Sequence, residues 1–291
     1  IVVPLPHQKV NDGFDDSAKA SVIQNFAAAI IQDKLNVSIN DFKIDFNNVL
    51  KVASKPEIKK KFASTQFKEN SDDYLEFLEK SITLDPIHEI NLDKNNIVFD
   101  ENSLSNDDKE NLISKMTSDD FVKLRFKFKV KLKDGSFSEE THLDASLGSP
   151  KKENGGIAQV YRNGMCLYDE KPSMKKSHHG ALFCDHIILS DLWNHSEDTG
   201  HTKLHENSDE MRSSNYDFDY ANEIIKFCHE ILVGLQLIFL FEDDGEDVEA
   251  FDDLFLISEP IIQDEENDDE IDEVSNDEVS NDEDDNEDEW E

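Results

Sequence analysis

Residues 121–132 constrain the fold more than any other stretch of this chain. Val122, Leu124, Phe126, Phe128, Val130 and Leu132 alternate with Lys123, Arg125, Lys127, Lys129 and Lys131. A period of two puts the apolar side chains on one face of an extended strand and the cations on the other. Asp134-Gly135 then supplies a tight turn into a second strand over 136–143. The result is an antiparallel hairpin with one apolar face that needs a covering layer. The basic stripe invites a nucleic-acid reading. The solvent face of a two-sided hairpin accounts for it better, and its cations can pair with the chain's excess carboxylates.

Helical signals flank this hairpin on both sides. Pro4 and Pro6 make residues 1–10 an extended lead-in, and Asp15, Asp16 and Ser17 can cap a helix that runs to Gln32. Val22, Phe26, Ala29 and Ile30 give it an apolar face. Residues 35–39 and 42–46 alternate around Asn40-Asp41 as a small hairpin. Helical patches follow at 57–63 and 72–82, then an extended, turn-rich region over 83–118 with a short helix near 109–116. A strand is expected over 157–167 and another over 180–189, with a polar loop over 191–215. A last helix is expected over 217–241, with Ile224, Ile225, Cys228, Ile231, Leu232 and Leu235 on one face. The fold class is therefore α+β: antiparallel hairpins and sheets backed by helices, followed by a disordered acidic C-terminal tail. Residues 1–118 and 119–241 read as two subdomains, and 242–291 as a low-complexity tail.

Charge separates that tail from the rest. Residues 242–291 hold 27 of the 67 Asp and Glu and none of the 29 Lys and Arg. Such a segment cannot bury enough apolar surface to offset the entropy of ordering. Residues 251–262 form an apolar island in it, and the Asp-Glu-Val-Ser-Asn unit at 272–276 recurs at 277–281 as low-complexity sequence. A net charge of −38 makes free nucleic acid a poor default ligand. Three cysteines without regular spacing suit reduced thiols, hence a cytoplasmic location. No apolar run reaches the roughly 20 residues of a membrane span.

Candidate chemistry is sparse. His178, His179, Cys184, His186, His195, His201 and His205 crowd together, but none of them forms a Cys-x-x-Cys pair or another regular zinc spacing. Cys166 or Cys184 beside a histidine could form a nucleophile pair, although no surrounding motif supports it. The loop Gly148-Ser-Pro-Lys-Lys-Glu-Asn-Gly-Gly156 carries Lys151 and Lys152 but lacks the Gly-Lys-Ser/Thr ending of a phosphate loop. Buried strand residues and solvated loop groups account for these features more simply than a metal or Cys/His enzyme does.

Several landmarks occur together in order: Val2-Val-Pro-Leu-Pro6, Asn25-Phe-Ala-Ala-Ala-Ile-Ile31, Lys34-Leu-Asn-Val-Ser-Ile39, Val160-Tyr-Arg-Asn-Gly-Met165 and Gly180-Ala-Leu-Phe-Cys184, then Leu192, Glu197 and His201. This succession, over residues 1 to about 238, resembles the downstream, transducer side of prokaryotic GHKL-type ATPases, whose nucleotide fold is shared by DNA gyrase and the heat-shock chaperones. The resemblance implies a glycine-led strand, then a leucine-containing helix and a Glu-to-His loop. The chain departs from the family in having no Asp-x-Gly-x-Gly loop. The ATP and magnesium sites would then belong to an upstream ATPase domain, lying before Ile1, with no cofactor held in this chain.

What the resemblance implies is a non-catalytic coupling region, a fragment of a larger ATPase, that passes nucleotide state to a protein partner. Lys151 or Lys152 would reach a phosphate, and Arg162, Glu197 and His201 would form a relay or an interface. The alternative is an acidic protein-binding, chaperone-like or DNA-mimic module whose tail engages a basic partner.

Overall fold

A computed structural model of the chain describes residues 14–240 apart from 95–96, 100–102 and 173. The readings of residues 1–10 and of the acidic tail lie outside the described residues. Within them the fold is α+β. A mixed six-stranded sheet carries helices on both faces, beside a separate two-stranded hairpin.

The alternating run forms the second strand of that sheet. β4 (Phe121–Lys131) pairs antiparallel with β5 (Phe137–Gly148), and Val122, Leu124, Phe126, Phe128 and Val130 are all buried. β3 (His88–Asn91) adds a parallel edge beside β4. On the other side β8 (His179–Cys184) pairs antiparallel with β5 and parallel with β6 (Ala158–Arg162), whose hairpin partner β7 (Met165–Cys166) closes the edge. The order is β3-β4-β5-β8-β6-β7.

Each face has its own core, because side chains alternate along every strand. Val122, Leu124, Leu143, Leu182 and Cys184 pack with α5 (Asn106–Asp119), α6 (Ile187–Ser196) and α8 (Phe218–Leu240). Phe121, Tyr161, Ala181 and Phe183 pack with α1 (Phe14–Ile31), α2 (Val49–Ala53), α3 (Pro56–Lys59) and α4 (Thr65–Thr83). The small hairpin β1 (Val37–Ile39) and β2 (Phe42–Ile44) joins this second layer. α7 (Asp209–Ser213) inserts the fully buried Met211 into the first core.

The cations of β4 point to the second face, and most meet carboxylates. Arg125 grips Asp144 through Nε and Nη2 at 2.7 and 2.8 Å. Lys127 pairs with Glu89, and Lys131 stands 3.2 Å from Asp217. The stripe is neutralised within the fold instead of forming a free basic surface.

Several expected boundaries shift for identifiable reasons. The strand expected over 180–189 stops at Cys184, and Ile187–Ser196 is a helix where a strand end and a polar loop are expected from periodicity. Leu189, Leu192 and Trp193 lie three and four residues apart, and all three are completely buried on one helical face. The strand expected over 157–167 breaks into β6 and β7 at Asn163-Gly164. The turn-rich region 83–118 contains β3 and a longer α5, capped when Ser105 Oγ accepts Asp108 N–H at 3.2 Å. The patch at 57–63 becomes the short α3, α2 is a helix outside the expected patches, and α4 starts earlier than 72, at the Ser64 cap. Among the described residues, no helix is long and apolar enough to cross a membrane.

Candidate functional site

The Arg162-Asn163-Gly164-Met165 segment is a two-residue hairpin turn. Asn163 and Gly164 both have positive φ, 50° and 81°, as a type I′ turn requires at its two central positions. Arg162 and Met165 are the closing pair of β6 and β7. Glycine is obligatory here for two reasons: the positive φ, and the approach of α1. A Cβ on Gly164 would lie 2.6 Å from Ala29 Cα. The Ala29 N–H also donates to Gly164 O at 3.1 Å.

The same turn is tied to the other layer of helices. Asn163 Nδ2 donates to Ser190 Oγ of α6 at 2.6 Å, and Asn163 N–H donates to Cys184 O at 3.1 Å. Arg162 Nη2 donates to Glu197 Oε2 at 2.7 Å, and Arg162 Nε closes a second contact on Glu197 Oε1. Glu197 is the C-terminal cap residue of α6, and its carboxylate has no exposed surface. A buried carboxylate is tolerated when it is paired and hydrogen-bonded, and the Arg162 guanidinium hydrogen-bonds Oε2 while standing in ion-pair contact with Oε1.

His201 completes the group, with Nδ1 at 2.9 Å from Glu197 Oε2. Its ring is half exposed, so the buried carboxylate is hydrogen-bonded to a group that reaches solvent. The loop that carries His201 is closed by the Glu197–Leu204 bridge and by Asp198, whose carboxylate accepts from Thr202 N–H and Oγ1 at 2.7 and 2.9 Å. Those hydrogen bonds hold the Asp198 carboxyl below its usual range, with the Thr202 backbone N–H contributing most. Arg162, Glu197 and His201, separated by up to 39 positions in sequence, thus form one continuous hydrogen-bonded group.

The remaining sequence candidates go elsewhere. Lys151 is clamped to α4 by Glu76 and by Asp73, whose Oδ2 also accepts the Lys151 N–H at 2.6 Å. Lys152 Nζ donates to Glu69 O at 3.0 Å. Both lysines therefore fasten the 148–156 loop to α4. Buried His179 accepts the Ile157 N–H at Nδ1, 3.1 Å away, and faces Asp73 with Nε2 at 3.2 Å. Both its nitrogens are occupied, so no nucleophile can use it as a base.

The thiols are equally withdrawn. Cys166, Cys184 and Cys228 are all buried. Burial pushes the Cys166 thiol up to about 12 and raises Cys184 well above its ordinary value. A protonated thiol with no adjacent base is a packing group and not a nucleophile. Among the described residues, no group of three or more His, Cys, Asp or Glu is arranged to hold a metal.

No protein family, curated protein or solved structure matches this chain. The resemblance to the transducer side of GHKL ATPases therefore rests on its motifs alone.

Chemically, the group links a buried carboxylate at the end of α6 to a half-exposed imidazole. Periodicity finds neither Ala29 nor Ser190 as partners of the turn. Asn-Gly flanked by strand residues was the available signal for the turn itself, and nothing local to the sequence marks what packs against it.

Proposed function

We propose that this chain is a non-catalytic coupling and interaction region, in which the Arg162–Gly164 turn transmits a change at the sheet edge to both helical layers. The observation that carries this reading is the anchoring of one two-residue turn to opposite sides of the sheet. Gly164 meets Ala29 of α1, while Asn163 and Arg162 meet Ser190 and Glu197 of α6. Rigid elements with discrete contacts on both sides are what a coupling device needs. The half-exposed His201 gives a partner access to the buried end of the Arg162–Glu197–His201 group.

The motif resemblance supplies the proposed parent, a GHKL-like ATPase whose nucleotide domain and magnesium lie in a separate upstream domain. The withdrawn thiols and the doubly engaged His179 support a role other than turnover.

Hydrogen exchange on the chain and on Asn163→Ala tests the coupling. Faster exchange is expected in the second half of α1 and throughout α6 together. An effect confined to residues 158–166 would sink the reading, as would hydrolysis of ATP by this chain alone.

A further inference from the structure

A second buried carboxylate, Glu170, grips the loop that carries His201. It follows β7 and keeps only 7% of its surface exposed. Its Oε2 accepts the Leu204 N–H at 3.0 Å, and its Oε1 stands 3.3 Å from Nε2 of His229 on α8. The other nitrogen of that ring, Nδ1, stands 3.8 Å from Glu206 Oε1, further along the same loop. Two backbone contacts flank these side chains. Asp169 N–H donates to Thr202 O at 3.0 Å, and Asn207 N–H donates to Asn222 Oδ1 of α8 at 3.0 Å. His229 thus sits where α8, the segment after β7 and the His201 loop meet.

Each nitrogen of that imidazole faces a carboxylate. A neutral ring has one N–H and an imidazolium has two, so only the protonated ring can donate toward both. The hydrogen bond with Glu170 contributes most to raising His229 above its ordinary value; burial and Lys203 oppose the proton, and the charge of Glu206 favours it. Glu206 is half exposed and counts for less, because water screens it. About a third of the His229 side chain is exposed, so its proton exchanges directly with solvent. Once that proton leaves, Glu170 keeps the Leu204 N–H and a weaker attraction to Lys203. A buried carboxylate that loses its charged partner is costly to keep buried. Turning toward water relieves the cost, and the Leu204 N–H is then left without its acceptor.

We propose that His229 is a pH-sensitive latch on the loop over 198–207. Protonated, it holds Glu170 and Glu206 and, through Glu170, the Leu204 backbone. Deprotonated, it frees Glu170 and loosens the loop where Leu204 is held. Leu204 also forms the bridge to Glu197, and its side chain is completely buried. Loosening it therefore disturbs the segment that brings His201 to Glu197. The latch goes beyond the coupling role of the Arg162–Gly164 turn and does not rest on it, because its contacts belong to other residues.

The test follows the full, unmodified chain by NMR from about pH 6 to about pH 8.5, a range that starts near the ordinary histidine value of about 6.5. His229 is expected to titrate above about 6.5, and the Leu204 amide signal to shift with the same midpoint. Corrected for the chemical exchange rate, Leu204 protection should fall at least about tenfold across the range, or about 1.4 kcal/mol. Amides in the middle of β4 and β5 should keep theirs. His201 and His205 lie on the same loop, so His229→Ala separates their titration from the latch. In that variant Leu204 protection should be low and level with pH. Glu170→Gln should bring the His229 midpoint down toward its ordinary value. The titration itself needs only the unmodified chain, so it stands even if a variant fails to fold. Leu204 protection unchanged while His229 titrates overturns the latch, as does a His229 midpoint below about 6.5. An equal fall in folded His229→Ala does the same, and assigns the pH dependence to His201 or His205.

Discussion

The Arg162 guanidinium holds both oxygens of the Glu197 carboxylate, although Glu197 offers solvent no side-chain surface. A pair of this kind is weak as a net stabiliser but costly to break from one side, because the surviving charge stays buried. Arg162→Met is therefore expected to destabilise the chain by about 3–5 kcal/mol, read from urea unfolding midpoints. Arg162→Lys should lose less, since it keeps the charge but not the fork. The double variant Arg162→Met, Glu197→Met should recover most of the loss. A double variant no more stable than Arg162→Met would remove the buried-charge account.

Gly164 and Gly135 provide a matched pair for the turn. Both have positive φ, 81° and 84°, but nothing lies within 4 Å of a Cβ built on Gly135. Gly135→Ala should cost only the left-handed penalty, about 1–2 kcal/mol. Gly164→Ala meets the α1 backbone as well and should cost at least about 1 kcal/mol more. Equal losses in the two unfolding curves would mean that α1 does not bear on the turn.

Acid should weaken the fold before the carboxylates titrate. Burial holds His179 below the ordinary histidine value, against the opposing pull of Asp73. His178 and His142 shift the same way, again chiefly through burial. Below about pH 6.5 the unfolded chain takes up protons that these folded imidazoles refuse, so stability falls as pH falls toward their folded values. His229 runs oppositely. Its hydrogen bond with Glu170 raises it, so its contribution is complete below about pH 6.5 and fades as pH rises through the raised value. Three shifts against one predict lower urea midpoints at pH 5.5 than at pH 7, with pH values chosen around the ordinary histidine value of about 6.5. His179→Gln should flatten that slope, and an unaltered slope would assign it to other groups.

The three thiols should be silent in the folded chain. Cys166, Cys184 and Cys228 are buried, and burial raises all three. A thiol reagent at mildly alkaline pH is expected to label none of them within the time that labels all three in denaturant. Rapid labelling of Cys184 in the native chain would reopen a nucleophilic role for it.

Local pattern made much of the fold legible. The alternation over 121–132 marks β4 and its buried face, and Asp134-Gly135 marks the turn to β5. The apolar face of 217–241 marks α8. These are readable because backbone sterics and one-sided burial impose a period within a few residues. The helix 187–196 is harder to see. Ile187, Ile188 and Leu189 follow β8 after only Asp185 and His186, and a short apolar run has no period of its own.

The site divides in the same way. The sequence by itself offered Asn163-Gly164 as a turn signal inside a strand expected over 157–167, and the motif resemblance singled out Arg162, Glu197 and His201. Only the tertiary structure decided that Glu197 is buried, that Arg162 and His201 both reach it, and that Lys151 and Lys152 are taken up by α4. It alone brought Gln32 to Asp185, 153 positions away. The reason is physical. Secondary structure answers to neighbours along the chain, whereas the partner of a charge is whichever group the packing of two layers on one sheet brings within reach.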